Sequence, residues 1–236
     1  MSLRFEELDW KSTPKGEISL RRRRDPVLGV DVYEIKLDDE YLMSSTFTAG
    51  EIALAQLGLA AVRGEELDVV VGGLGLGYTA QAVLADDRVR SLDVVDALAE
   101  VIDWHRRELL PLGAGLTADP RCTLVLGDFF EMAADPEGFG GRRFDAIIVD
   151  IDHTPSFLLH PSHAPFYEPA GLRRLSAHLK PGGVFALWSN DPPDDAFVTV
   201  LGQVFTDAEA HVVSFDNHLQ DRKATNTVYV AKSIEG

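Results

Sequence analysis

From Leu67 onward, short apolar runs rich in β-branched residues alternate with helix-forming stretches. No other feature restricts the fold as much, because strand–helix–strand repeats pack as parallel sheets with helices on both faces. The runs predict strands over 67–72, 91–95, 122–126, 144–150 and 183–189, each apolar throughout as a buried parallel strand is. Helices are predicted near 78–86, 97–110, 129–134 and 168–179. Pro169 suits a first helical turn, and Lys180-Pro181-Gly182-Gly183 reads as a helix stop. A further helix over 194–205 precedes two strands, about 209–216 and 225–232, joined as a hairpin, which implies an antiparallel edge.

Upstream, 17–24, 30–37 and 40–44 read as a small antiparallel meander with turns at Asp25-Pro26 and Asp38-Asp39. Thr48-Ala49-Gly50-Glu51 has the form of a capping box opening a helix that runs to about Leu59. Two units follow: a small β domain over 1–47 and a larger α/β domain over 48–236. The run Arg21-Arg22-Arg23-Arg24 reads as a solvated edge strand that discourages strand-to-strand association.

The chain is 45% hydrophobic and 25% charged, an ordinary composition for a soluble globular protein. No apolar run reaches the ~18 residues of a membrane span, and the acidic N-terminus lacks a signal-peptide core. The single cysteine, Cys122, excludes an internal disulfide, so a cytoplasmic location is expected. A net charge of −16 repels a phosphate backbone, which argues against nucleic acid as a partner, and it tolerates cationic ones, amines included.

Chemistry concentrates at predicted strand ends. Gly73-Leu74-Gly75-Leu76-Gly77 lies between a strand and a helix, where glycines let backbone approach a ligand closely. Asp96 closes the next strand, about 20 residues on, the place of an acid that binds ribose hydroxyls. Asp128 follows the third strand with Phe129 beside it, a place to read an adenine amino group and stack on the base. Asp150 closes the fourth. Singly, Asp96 and Asp128 are also explained as helix N-caps. Jointly, at successive strand ends beside Gly73, Gly75 and Gly77, they point to an adenosine pocket.

A dinucleotide would fit the first half of this pattern. The long stretch after Asp150 and the terminal hairpin instead resemble the class I S-adenosylmethionine-dependent methyltransferase architecture: Rossmann-like, with a seven-stranded mostly parallel sheet and an antiparallel terminal hairpin. Within it, the motif order is similar to that of the spermidine synthase (polyamine aminopropyltransferase) family. "VVVGGLGLG" resembles its glycine loop, "LDVVDALAEVID" its ribose segment, "RCTLVLGDFFEM" its adenine segment and "RFDAIIVDIDHTP" its catalytic strand and gate. Glu51 in "FTAGEIALAQL" looks like the acid of its first helix. The resemblance implies S-adenosylmethionine or its decarboxylated form as cofactor, a small-molecule acceptor such as a cationic amine, and a homodimer.

The chain departs from that pattern at instructive places. The family's loop carries an acid that holds the aminopropyl ammonium of decarboxylated S-adenosylmethionine; here Gly75 stands there. Ala49-Gly50 replaces a Tyr-His pair, and His153 replaces the second gate acid, with Asp152 one residue early. Two unit charges about 4 Å apart interact by about 4 kcal/mol at an effective dielectric of about 20, enough to select between a carboxylate and a bare amine. With Gly75, repulsion of a ligand carboxylate is absent and the loop amides are expected to bind one. Methyl transfer from S-adenosylmethionine is therefore the expected reaction, although Val71 stands where methyltransferases commonly carry an acid. Aminopropyl transfer is the alternative, and a non-catalytic nucleoside-binding module the third. An amine nucleophile needs a base, and Asp150, Asp152 and His153 are the candidates. His153, His160 and His163 share one loop with Asp152, but their spacing matches no structural zinc pattern, so no metal is expected. Tyr167 and Phe166 line an acceptor pocket or staple the next helix. His105, Trp104 and Trp188 are expected to pack in the core, and Cys122 to be a buried thiol.

Overall fold

A computed structural model describes residues 5–234. Four strands open the chain, β1 (Phe5–Thr13), β2 (Gly16–Arg24), β3 (Asp31–Leu37) and β4 (Glu40–Ser44), and they form an antiparallel sheet in sequence order. Helix α1 (Ala49–Ala61) follows. The second sheet is built from β5 (Leu67–Gly72), α2 (Tyr78–Leu84), β6 (Val89–Asp96), α3 (Ala99–Arg106), α4 (Gly113–Ala118), β7 (Cys122–Leu126), α5 (Phe129–Ala134) and β8 (Phe144–Val149). A 3-10 turn (Pro161–Phe166), α6 (Pro169–Ser176), β9 (Leu179–Ser189), α7 (Asp195–Leu201), β10 (Thr206–Asn217) and β11 (Arg222–Lys232) complete it. Its strand order is β10-β11-β9-β8-β5-β6-β7, parallel from β9 to β7 and antiparallel where β11 joins β9 and β10. The chain is α/β with a mostly parallel seven-stranded sheet, an antiparallel terminal hairpin and a small N-terminal β meander.

Strand alternation divides the core. Val69, Val71, Ala146 and Ile148 face α1, α2, α3 and the N-terminal sheet, among Ile18, Leu20, Leu54 and Trp104. Val70, Ile147 and Val149 face the other way, into a phenylalanine-rich layer with Phe129, Phe144, Phe166, Phe185 and Phe197. Each such side chain, fully buried, contributes about 1.5–3 kcal/mol. Between β5 and β8 the winding reverses direction. A crevice at the carboxyl ends of those two strands follows from that topology.

Several expectations change. The meander has an additional strand, β1, whose pattern is obscured by a bulge between Glu7 and Asp9. That strand makes β2 an inner strand, so the arginine run is not an edge. Its members pair across the sheet instead: Arg21 with Glu7, Arg22 with Glu6, Arg23 with Glu34 and Arg24 with Asp31. Thr48 stands at the N-cap of α1 without a side-chain cap bond. The helix expected over 97–110 stops at Arg106, Glu108 adopts a positive φ of 57°, and the chain restarts as α4. Lys180-Pro181-Gly182-Gly183 lies inside β9, where the register against β8 shifts, rather than ending a helix. No helix among the described residues is long and apolar enough to cross a membrane.

The N-terminal sheet is fastened to α3 by polar contacts. Trp104 is fully buried, and its indole Nε1 donates to Asp9 Oδ2 at 2.8 Å. Arg107 donates to the same oxygen at 2.8 Å, and Lys11 reaches Asp103 at 3.1 Å. Asp9→Ala leaves a buried indole donor without a partner. It is expected to lower unfolding stability in urea by about 1–3 kcal/mol, while Asp9→Asn, which keeps an acceptor, costs less.

Candidate functional site

The crevice begins where β5 delivers the glycine loop. Gly73 (φ 96°) lies so close to β8 that a Cβ there would sit 2.1 Å from the Asp150 carbonyl oxygen. Only glycine allows the two strand ends to meet this way. The loop amides turn out to be engaged within the chain. Gly73 donates to the Val95 carbonyl at 2.8 Å and Gly77 to that of Leu74 at 2.8 Å. Leu74 and Gly75 donate to Asp96 Oδ2 at 3.0 and 3.4 Å, and Leu76 faces the Met43 sulfur at 2.9 Å. Each loop amide from Gly73 to Gly77 thus has an intrachain partner, and a ligand carboxylate would share or displace one. His105 is buried in the core as expected, but it also acts on the loop: its Nε2 lies 2.8 Å from the Gly75 carbonyl. A carbonyl only accepts, so Nε2 carries the proton; burial lowers the imidazole pKa and keeps the ring neutral.

Asp96 caps no helix; Leu98 stands at the N-cap of α3. Its Oδ1 accepts from the Leu98 amide at 2.8 Å while Oδ2 braces the loop. Burial pushes its pKa up and those amides pull it back, with burial winning. A carboxylate has about four acceptor sites, so three amides leave one for a ligand hydroxyl. Asp128 does cap α5, accepting from the amides of Phe130 and Glu131 at 2.9 and 3.2 Å through Oδ1 alone. With Phe130, Ser162, Pro165 and Arg174 it lines a cavity of about 280 Å³. Phe129 is not beside that cavity. It is buried beneath Gly72 in the aromatic core, because the first residue of α5 turns inward; Phe130 is the half-buried ring, stacked 4.0 Å from His163.

The three expected bases part company after β8. Asp150 stays at the crevice, where Oδ2 accepts from Thr79 Oγ1 at 2.6 Å. Asp152 turns to the aromatic layer and is 2% exposed, accepting from Leu159 N at 2.8 Å, His163 Nδ1 at 2.8 Å and Tyr167 Oη at 2.9 Å. His153 leans outward to Glu40 of β4 at 3.2 Å and stacks on Phe157. Successive residues leaving a strand point to different sides, so adjacency in sequence does not bring them together. Phe166 and Tyr167 are both buried in the core beside α6. Trp188 packs against the core with its Nε1 buried and unpartnered, and Cys122 is half-buried, its pKa pushed to about 11 by burial. Among the described residues, no three His, Cys, Asp or Glu side chains gather as metal ligands.

Residues 51–195 match the profile of the spermine/spermidine synthase domain. The chain belongs to the spermine/spermidine synthase family. Across the family, members are transferases that use S-adenosylmethionine or its decarboxylated form. Putrescine N-methyltransferase 3 of Nicotiana tabacum is 30% identical over 131 residues, 56% of this chain and 32% of that protein. Polyamine aminopropyltransferase of Prochlorococcus marinus (strain MIT 9313) is 31% identical over 144 residues, 58% of this chain and 46% of that protein. The chain thus spans less than half the length of either relative. The crystal structure of spermidine synthase from Thermotoga maritima shares the fold, with a TM-score of 0.70 at 19% identity, covering 98% of this chain and 73% of that one.

Within this family framework, Glu51 joins Asp150. Burial, then the charge of Asp150, push the Glu51 pKa to about 8; burial pushes Asp150 to about 6 against the Thr79 hydrogen bond. Both groups are thus held above the ordinary carboxylate range, and the charge of Asp150 adds to the effect of burial on Glu51. Three further residues escaped the sequence reading as site residues. Thr79 lay in the first turn of a predicted helix, His105 read only as core, and Met43 carried no signal at all.

The Glu51 shift has a sign. Its folded pKa lies above its ordinary 4.5, so the folded chain keeps a proton that the unfolded chain releases. That contribution is fully present below about pH 4.5 and is lost as pH rises through about 8. Within the window, stability is expected to fall by up to about 1.4 kcal/mol per pH unit, and Glu51→Gln to flatten the slope in urea unfolding across pH 5–8.

Proposed function

We propose that the chain is an S-adenosylmethionine-dependent methyltransferase acting on a small amine of the polyamine type. The observation that carries this reading is Asp150 at the end of β8, meeting the glycine loop at Gly73 and held by Thr79 at 2.6 Å, with its pKa and that of Glu51 pushed up by burial. The residues present fit an adenosine: Asp96 keeps one acceptor site at the end of β6, and Asp128 caps α5 through one oxygen only. Gly75 offers no acid to hold a bare ammonium tail, and the room for one is filled by Met43. The likeness to putrescine N-methyltransferases points the same way.

When bound, S-adenosylmethionine supplies a methyl group already activated by the sulfonium charge. The chain's part is to align an in-line attack and to manage a proton. A cationic amine is drawn to the two carboxylates by charge. It must lose a proton before its nitrogen lone pair can attack the methyl carbon. Asp150, with a pKa near 6, is ionised at neutral pH and is the base that would take that proton from the ammonium; the freed lone pair would then form the C–N bond as the methyl–sulfur bond breaks. Thr79 holds the carboxylate in one orientation. His153, turned toward Glu40, serves the rim rather than the reaction.

The likeness to a polyamine aminopropyltransferase supports a second reading, aminopropyl transfer from the decarboxylated cofactor. Incubation with each nucleotide and a series of diamines separates the two. S-adenosylhomocysteine is the expected by-product; methylthioadenosine in its place transfers the assignment to the aminopropyl reaction. Nucleoside binding by calorimetry without turnover of any amine would leave a binding module. Asp150→Asn is expected to lower kcat by about 10²–10⁴-fold, and wild-type kcat/KM to rise as pH passes through about 6.

A further inference from the structure

We infer that Met43, contributed by the N-terminal sheet, is a specificity-determining residue for the donor's tail. Its thioether and a ligand carboxylate compete for one glycine-loop amide. The inference rests on the donor reading above and specifies how the loop tells one tail from another.

Two contacts define the position. A Cβ placed on Gly75 would lie 2.1 Å from the Met43 sulfur and 2.8 Å from its terminal methyl, with no other neighbour among its three nearest atoms. The side chain of Met43 thus fills the space that a side chain at position 75 would need. The sulfur also receives the Leu76 amide at 2.9 Å. Of the five amides from Gly73 to Gly77, this one alone is directed at sulfur; the others reach oxygen, that of Gly75 over a long 3.4 Å.

The chemistry gives the two positions a common logic. A thioether is a weak acceptor, so a carboxylate oxygen that reaches the Leu76 amide replaces a weak bond by a charge-assisted one. A ligand without a carboxylate has nothing to offer that amide and leaves Met43 where it is. The unbranched thioether has three rotatable bonds and withdraws at little strain. Leu76 itself is buried, which anchors the amide for whichever acceptor arrives. Met43 therefore occupies the space of a side chain at position 75 and holds the Leu76 amide until a carboxylate-bearing tail displaces it.

Calorimetry with S-adenosylhomocysteine, which carries the carboxylate, and methylthioadenosine, which does not, tests this. In Met43→Ala the amide is unmasked, and the preference for S-adenosylhomocysteine is expected to rise by about tenfold over wild type. Met43→Leu keeps the volume without the acceptor and is expected to shift the preference in the same direction by less, which controls for disturbed folding. Met43→Ala combined with Gly75→Asp places an acid in the vacated space and is expected to reverse the preference. Selectivity unchanged in all three variants, with both ligands still bound, overturns the role of Met43 and leaves the donor reading standing. A wild-type chain that binds neither nucleoside overturns both.

Discussion

The carboxylate of Asp96 is the fastening on which the site depends. A loop with three glycines in five residues has little conformational preference of its own. Asp96 removes that freedom by accepting from Leu74 and Gly75 with one oxygen and from Leu98 with the other, tying the ends of β5 and β6 together. His105 grips the loop from the opposite side through the Gly75 carbonyl. The loop's shape then sets the start of α2, with Gly77 in a left-handed conformation at its N-cap, and α2 in turn carries Thr79 to Asp150. One partly buried acid thus connects the glycine loop, the end of β6 and, through α2, the Thr79–Asp150 contact. Burial disfavours its charge, and the three amides it holds offset part of that cost.

How much of this was legible in the sequence depended on whether the signal was local. Strands β5 and β7 match the predicted 67–72 and 122–126, because a continuous β-branched run bounded by glycine or charge has few other solutions. The acids at 96, 128 and 150 were legible for the same reason: each closes such a run. What was not legible depended on packing between distant segments. The sulfur of Met43 meets Gly75 across the boundary between two sheets, and no periodicity announces it. Strand β1 was hidden by its bulge, and its absence from the reading turned an inner arginine strand into an apparent edge. Asp152 and His153 looked like partners of Asp150 because they are its neighbours in sequence. In three dimensions they serve a buried tie and an exposed rim.

The N-terminal sheet is more than an appendage. It reaches the crevice at separate points: Met43 of β4 touches the glycine loop, Glu40 meets His153 after β8, and Asp9 of β1 fastens the sheet to α3. The fastening at Asp9 lies far from the reacting groups. Its effect on the site runs through the position of β4, which carries both Glu40 and Met43. The boundary between the two sheets therefore borders the glycine loop, where Met43 meets Leu76.

The four acids at 51, 96, 128 and 150 differ in how their charge is accommodated. Loop amides hold Asp96, the first amides of α5 hold Asp128, and Asp150 and Glu51 have raised pKa values that let them keep protons to higher pH. The last arrangement differs in kind from the others. Backbone amides are permanent partners, whereas a proton is exchangeable. On the proposed reading, a cation near both acids would supply the charge that a proton supplies in its absence. Binding an ammonium group there favours release of the proton from Glu51, and loss of the cation favours its return. A positively charged acceptor would then meet two partly buried acids that need not both carry charge in its absence.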